Sequence, residues 1–237
     1  MIKLDNISFS LPDGKKIINN FSYVISKGDF IVLLGSNGSG KSSLIKLLNK
    51  TYLPTKGKIL FGHTPINEIS HKKFSASVIT LTQFVRDSLF MELTIQENAE
   101  LIQQAYRIKR QEENLKNYLA AFNKNLTKAL HTPVNQLSGG EQQILAFALY
   151  LQHQPELLLL DEHTSALDPK TAKEIMKLTA HMIKEKKITA IMATHNLEFA
   201  EQYGNKIVAI KEGKIFLDSD HSSKDQLTHQ ALLEACY

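Results

Sequence analysis

Residues 30–43 read FIVLLGSNGSGKSS. Phe30 to Leu34 is an unbroken apolar run bounded by glycines at 28 and 35, the pattern of a short strand buried on both faces. The glycine-rich turn that follows leads into a helical pattern. Similar runs recur at Val78 to Leu81, Leu157 to Leu160 and Thr189 to Ala193, and helical patterns follow several of them. Strand and helix in alternation predict an α/β fold with a parallel core sheet.

The flanking segments differ in kind. Ile2 to Phe9 alternates apolar and polar residues, Asp13-Gly14 supplies a turn, and a second run extends from Ile17 to Ile25. This predicts an antiparallel hairpin at the start of the chain. From about Asp87 to Gln136 strand patterns give way to helical ones. Thr94-Ile95-Gln96-Glu97 fits a capping box, after which Ile95, Ala99, Ile102 and Tyr106 recur at helical spacing. The expected organisation is a sheet domain over 1–86 and 137–237, with a helical subdomain over 87–136 inserted into it. A hairpin around Glu212-Gly213 and a helix near Gln226 to Ala235 complete the chain.

Composition excludes several classes. The 237 residues are the length of one domain or one and a half. Apolar residues make up 43% and charged residues 22%, an ordinary globular balance. The apolar runs fall far short of the ~20 residues that span a bilayer, and MIKLDNISFS has no signal-peptide core. A cytoplasmic protein is expected, tied to a membrane only through partners. The single cysteine, Cys236, allows no disulfide or zinc framework. The net charge of +4 raises nucleic acid as a partner. However, Arg107, Lys109 and Arg110, and Lys184, Lys186 and Lys187, form short clusters beside acidic residues, as solvated helix faces do. No nucleic-acid partner is expected.

Gly35-Ser36-Asn37-Gly38-Ser39-Gly40-Lys41-Ser42 is a P-loop. Its glycines let backbone N–H groups turn inward around an anion, and the next helix presents its positive end to the same point. Lys41 would reach the β- and γ-phosphates and Ser42 would ligate Mg²⁺, with Ser43 beside it. A glycine-rich turn could match by accident, but not with a strand before and a helix after it. The motif alone does not say which nucleotide, or to what end. Leu157 to Leu160 then delivers Asp161 toward Mg²⁺ and Glu162 to where a base polarises the attacking water.

Leu137-Ser138-Gly139-Gly140-Glu141 opens another helix. Ser138 and Glu141 form a capping box, and Ile144, Phe147 and Leu151 follow on the helix. Backbone N–H groups at Gly139 and Gly140, the Ser138 hydroxyl and the helix dipole make a second anion site. A capped helix explains the serine and glutamate but not the double glycine. One triphosphate does not need two such devices. Two copies paired head to tail would use both, each nucleotide lying between one P-loop and the partner's second site.

LSGGE resembles the signature motif of ABC ATPases, and it occurs with the P-loop and LLLLDE in that family's order. The resemblance spans nearly the whole chain and implies a P-loop NTPase cassette with ATP and Mg²⁺. It implies further roles for matching residues. Gln83 matches the glutamine that touches Mg²⁺ and the water. His195 matches the switch histidine on the γ-phosphate. Ser165-Ala166-Leu167-Asp168 matches the loop that crosses the dimer interface, with Asp168 at the nucleotide. Asp168-Pro169 is also what a plain helix cap looks like. The family usually stacks an aromatic residue on adenine after the first strand. Leu11 stands there and Phe9 points elsewhere, so ATP is expected to be held mainly by its phosphates.

A single cassette implies separate integral membrane permease subunits, as in bacterial importers, and indirectly a substrate-binding protein. A cytosolic assembly ATPase, as in iron–sulfur cluster biogenesis, is the alternative. His163 in DEHTSALDPKTA, with Tyr203-Gly204-Asn205, is similar to ATP-binding subunits of tryptophan/tyrosine-type uptake, which favours import of a small molecule such as an amino acid.

Overall fold

The first strand, Ile2–Ser10 (β1), turns Ile2, Leu4, Ile7 and Phe9 inward. Its alternation slips by one residue at Asn6, whose φ of 49° marks a bulge between Leu4 and Ile7. Asparagine tolerates that left-handed backbone better than most residues. A tight turn, in which Lys15 N–H donates to Asp13 Oδ1 at 3.0 Å, leads into Lys16–Ile25 (β2), antiparallel to β1. Phe30–Leu34 (β3) and Lys41–Leu48 (α1) flank the glycine-rich loop. Lys56–Phe61 (β4) then returns to the free edge of β1, and Thr64–Pro65 (β5) completes a four-stranded sheet of order β2-β1-β4-β5.

The chain continues through His71–Ser77 (α2), Val78–Thr82 (β6) and a helical stretch of Ile95–Tyr106 (α3), Glu112–Ala120 (α4), Lys124–Lys128 (α5) and Gly139–Leu151 (α6). Leu157–Asp161 (β7), Pro169–Lys186 (α7), Thr189–Thr194 (β8) and Leu197–Gln202 (α8) come next. Lys206–Lys211 (β9), Lys214–Ser219 (β10) and His229–Cys236 (α9) close it. The second sheet has the order β10-β9-β3-β8-β7-β6, with β9, β3, β8 and β7 parallel and β10 antiparallel at one edge. All five residues of β3 and all six of β8 are buried. The four leucines of β7 are fully buried, and each contributes roughly 2 kcal/mol by leaving water.

This computed structural model describes residues 1–108, 112–219, 224 and 227–236. Gln226, Lys109 and Arg110 lie outside the described residues. The terminal helix begins at His229. The fold has two units. One comprises Met1–Thr80, Glu156–Asp161 and Lys187–Tyr237; the other comprises Leu81–Pro155 and Glu162–Lys186. The first holds one apolar core shared by both sheets and α1, with Leu4, Ile18, Leu33, Ile45 and Leu159 at its centre. In the second, the Thr94–Glu97 capping box starts α3 and the Ser138–Glu141 box starts α6. Helix α6 is buried continuously from Leu145 to Leu149, and Ile144 stays half-buried.

Candidate nucleotide site

In the first unit, the C-terminal ends of three parallel strands lie side by side. Leu34 of β3 is level with Thr194 of β8, and Asp161 of β7 is level with Ala193. The glycine-rich loop, His195 and Asp161 therefore share one sheet edge, the edge where ligands of open α/β sheets bind. His195 is exposed there.

The loop is built as a cradle. A Cβ at Gly35 would come within 2.5 Å of the Ile210 carbonyl and 2.7 Å of Ser39 Oγ, so no side chain fits. Gly40 has φ 112° and lies against Ile17 and Ile18. No side chain caps α1, which leaves its first N–H groups directed at the loop. Ser39 Oγ is buried without a hydrogen-bond partner among the described residues. Ser36, Asn37 and Gly38 are exposed, and Ser43 is half-buried. Lys41 is only 5% exposed, and its Nζ donates to the carbonyls of Gly35 (2.8 Å) and Ser36 (3.0 Å). An orphaned hydroxyl, an uncapped helix start and a folded-in ammonium together fit a polyphosphate.

Ser42 Oγ donates to Asp161 Oδ1 at 3.0 Å. Two hard oxygen donors in contact fit Mg²⁺, which takes few protein ligands and completes its shell with phosphate and water. Among the described residues no cluster of three or more His, Cys, Asp or Glu could form an all-protein cage.

Phe9 is 7% exposed and stacks on Tyr52, ring centroids 4.8 Å apart at 16°. It is engaged in the core and presents no free face. Leu11, half-buried, packs on the same core. Its N–H donates to the Lys15 carbonyl across the hairpin turn.

The second unit gathers a different set. Ser138 caps α6. Its hydroxyl donates to Glu141 Oε2 at 2.8 Å and accepts from the Glu141 N–H. That bond from Ser138, with the others around it, holds the Glu141 carboxyl below its usual pKa. The hydroxyl is thus committed to the cap, and the N–H groups of Gly139 and Gly140 are the donors this helix start offers outward. The double glycine has a packing reason that the sequence hid. A Cβ at Gly140 would meet Thr171 Cγ2 at 2.6 Å, and one at Gly139 would touch Leu167.

Glu162 takes a left-handed φ of 50°, at a cost of about 1 kcal/mol for a residue with a side chain. The turn is fixed by the buried side chains of His163 and Thr164, and by Ser165 N–H donating to the Glu162 carbonyl at 2.9 Å. Asp168 Oδ1 accepts from Thr171 N–H at 3.1 Å, so this residue does cap α7. Those bonds from Thr171 hold its carboxyl below the ordinary range. Gln83 follows β6, and its Oε1 accepts from Ser165 Oγ at 2.8 Å. Gln83, Gly139, Ala166 and Leu167 face one cavity of about 450 Å³. The sequence places Ser165 only within its loop. Its contact with Gln83 spans 82 positions, and no local pattern announces it.

Residues 18–165 match the family model for the ABC transporter. The chain belongs to the ABC transporter family. The tyrosine transport ATP-binding protein of Clostridioides difficile is 33% identical over 245 residues, covering 99% of this chain and 98% of the relative. Among solved structures, cbiO1 of Clostridium perfringens, part of the ABC transporter complex cbiONQ, superposes with a TM-score of 0.82. It is 28% identical, covering 98% of this chain and 92% of its own. The ATP-binding cassette MJ0796, a dimer in a post-hydrolysis state bound to ADP and Pi, superposes with a TM-score of 0.76 at 27% identity. It covers 93% of this chain and 99% of its own. The protein is thus an ABC-type ATPase with the α/β fold of that cassette. Among its described residues no helix is long and apolar enough to cross a membrane.

Proposed function

We propose that this ABC cassette hydrolyses ATP between two head-to-tail copies and drives small-molecule import through separate integral membrane subunits. The observation that carries the reading is the glycine cradle of Gly35 to Ser42 closed onto Asp161 by the 3.0 Å Ser42 contact.

The loop N–H groups and Ser39 Oγ receive phosphate oxygens, and Lys41 turns from the Gly35 and Ser36 carbonyls to the β- and γ-phosphates. Ser42, Asp161 and Gln83 would hold Mg²⁺. When bound, the cation neutralises charge on the β- and γ-phosphate oxygens. Glu162 polarises the attacking water, and His195 holds the γ-phosphate. Ser138 of the second copy caps the helix start whose Gly139 and Gly140 N–H groups complete the site, with Asp168 at the interface. Hydrolysis removes the γ-phosphate that joins the halves, and they part. The helical subdomain over 87–136 passes the change of shape to membrane partners, which hold the cassette at the cytoplasmic face.

The tyrosine transport relative supports an amino acid as the cargo, and a substrate-binding protein would deliver it. The test is affinity capture with Glu162→Gln and ATP from detergent-solubilised native membranes, read by mass spectrometry. Recovery of a multi-span protein is the expected result. Recovery of soluble proteins alone would overturn the transport reading in favour of a cytosolic assembly ATPase.

A further inference from the structure

A carboxamide can ligate a cation only through oxygen; its other end is an NH₂ that repels one. Gln83 therefore serves a metal only if something fixes which end faces the site. Its backbone is well braced. Gln143 Nε2 donates to the Thr82 carbonyl at 3.3 Å, and Thr82 Oγ1 donates to Asp87 Oδ2 at 2.8 Å while accepting from Phe84 N–H at 3.2 Å. None of these bonds touches the Gln83 side chain. Among the described residues its one side-chain hydrogen bond is from Ser165 Oγ to Oε1, at 2.8 Å.

We propose that Ser165 is the positioning residue for Gln83. Its hydroxyl occupies one lone pair of Oε1 and leaves the other for the cation. This rests on the reading above, in which Gln83 ligates Mg²⁺. Partners of this kind, standing behind a ligand, set its orientation and tune metal affinity.

The position of Ser165 gives the contact a second meaning. Two residues on, Leu167 lies 3.5 Å from where a Cβ of Gly139 would be, and Thr171, beyond the Asp168 cap, lies against Gly140. The segment that carries Ser165 is thus registered on the glycines that the proposed dimer presents to the second copy. A shift of those glycines reaches Gln83 through one side-chain hydrogen bond. Engagement of a partner and the orientation of a metal ligand become the same event.

The experiment uses the full chain with Glu162→Gln, so that nucleotide persists, and titrates Mg²⁺ against binding of a fluorescent ATP analogue. Ser165→Ala should raise the half-saturating Mg²⁺ about 3- to 10-fold, the range for one lost hydrogen bond behind a ligand. Binding without Mg²⁺ should not change, and Ser165→Thr, which keeps the hydroxyl, should restore the parent value. In a Gln83→Ala background Ser165→Ala should add nothing. An unchanged Mg²⁺ requirement in Ser165→Ala would overturn the inference while leaving the nucleotide site intact. So would an equal shift with Gln83 already removed. A parent that binds nucleotide with no response to Mg²⁺ would overturn the metal site itself, and the inference with it.

Discussion

Ser42 Oγ and Asp161 Oδ1 stand 3.0 Å apart although 119 positions separate the residues. The contact exists because β8 alone lies between β3 and β7, so the loop after β3 and the last residue of β7 meet at one sheet edge. Lys41, one residue earlier, turns its side chain into the loop instead. Adjacent residues of one motif thus face different partners, as the proposed division between cation and phosphate requires. Ser42→Ala should leave Mg²⁺-free nucleotide binding nearly intact and weaken its enhancement by Mg²⁺ about 10- to 100-fold. Lys41→Ala should abolish binding with or without the cation. Calorimetric titrations with and without EDTA distinguish the two, and equal losses in both variants would refute the division.

Glu162 is the first residue beyond β7, and its left-handed backbone turns the chain away from Asp161. An amide in place of its carboxylate keeps the shape but cannot take a proton from water. Glu162→Gln should bind ATP, hydrolyse it at least about 100-fold more slowly, and accumulate as a dimer that dissociates when ATP is removed. Sedimentation velocity reads this directly. A variant that stays monomeric with saturating ATP and Mg²⁺ would count against the sandwich.

Gly140 tests whether the double glycine serves packing as well as phosphate. Alanine in place of a helical glycine contributes about 1 kcal/mol of helix propensity, but here its Cβ would lie 2.6 Å from Thr171 Cγ2. Overpacking of that kind costs about 1–3 kcal/mol, so Gly140→Ala should destabilise the fold by about 1 kcal/mol net. With Thr171→Ser the obstructing methyl is gone, and the same change should stabilise by about 1 kcal/mol. Urea denaturation of the four proteins, without nucleotide, completes the cycle. The same sign in both backgrounds would assign Gly140 to function alone.

These cases separate what the chain announces locally from what only folding reveals. β3, β7 and β8 are legible because strands buried on both faces read as unbroken apolar runs. The helix starts at Thr94 and Ser138 are legible because a capping box closes within four residues. β4 is not, since it begins Lys56-Gly57-Lys58 and takes its strand identity from pairing with β1, about fifty positions back. In the site, each motif is local and readable. The bonds between motifs, Ser42 to Asp161 and Ser165 to Gln83, depend on topology. The fit of Gly140 against Thr171 likewise joins two helices, and no spacing rule encodes it.

Base recognition is where this cassette is expected to depart from the aromatic stack usual in its family. Leu11 occupies the hairpin turn, and Phe9 is committed to Tyr52 inside the core. An aliphatic contact with a purine lacks the ~1 kcal/mol or so that stacking on a ring adds. ATP and GTP should therefore bind within about 5-fold of one another, and Leu11→Tyr should tighten both. Competition titrations with the Glu162→Gln variant compare them. A preference for ATP above about 50-fold would locate a base-reading contact elsewhere.

His163 ties the stability of the cassette to acid. It is 2% exposed, its Nε2 has no hydrogen-bond partner among the described residues, and burial pushes its pKa from 6.5 down to about 4. Between those two values the unfolded chain takes up a proton that the folded chain refuses, so acidification favours unfolding. This contribution is complete above pH 6.5 and is lost progressively as the pH falls to about 4. The shift corresponds to roughly 3 kcal/mol at full extent. His163→Leu removes the titration and the orphaned nitrogen while nearly keeping the volume. Its stability should match or exceed the parent's at pH 7.5, and between pH 6.5 and 4.5 it should fall less steeply. Urea midpoints across that range, measured without nucleotide or Mg²⁺, give the comparison. Parallel curves for the two proteins would mean that the imidazole gains a partner or reaches water when it is protonated.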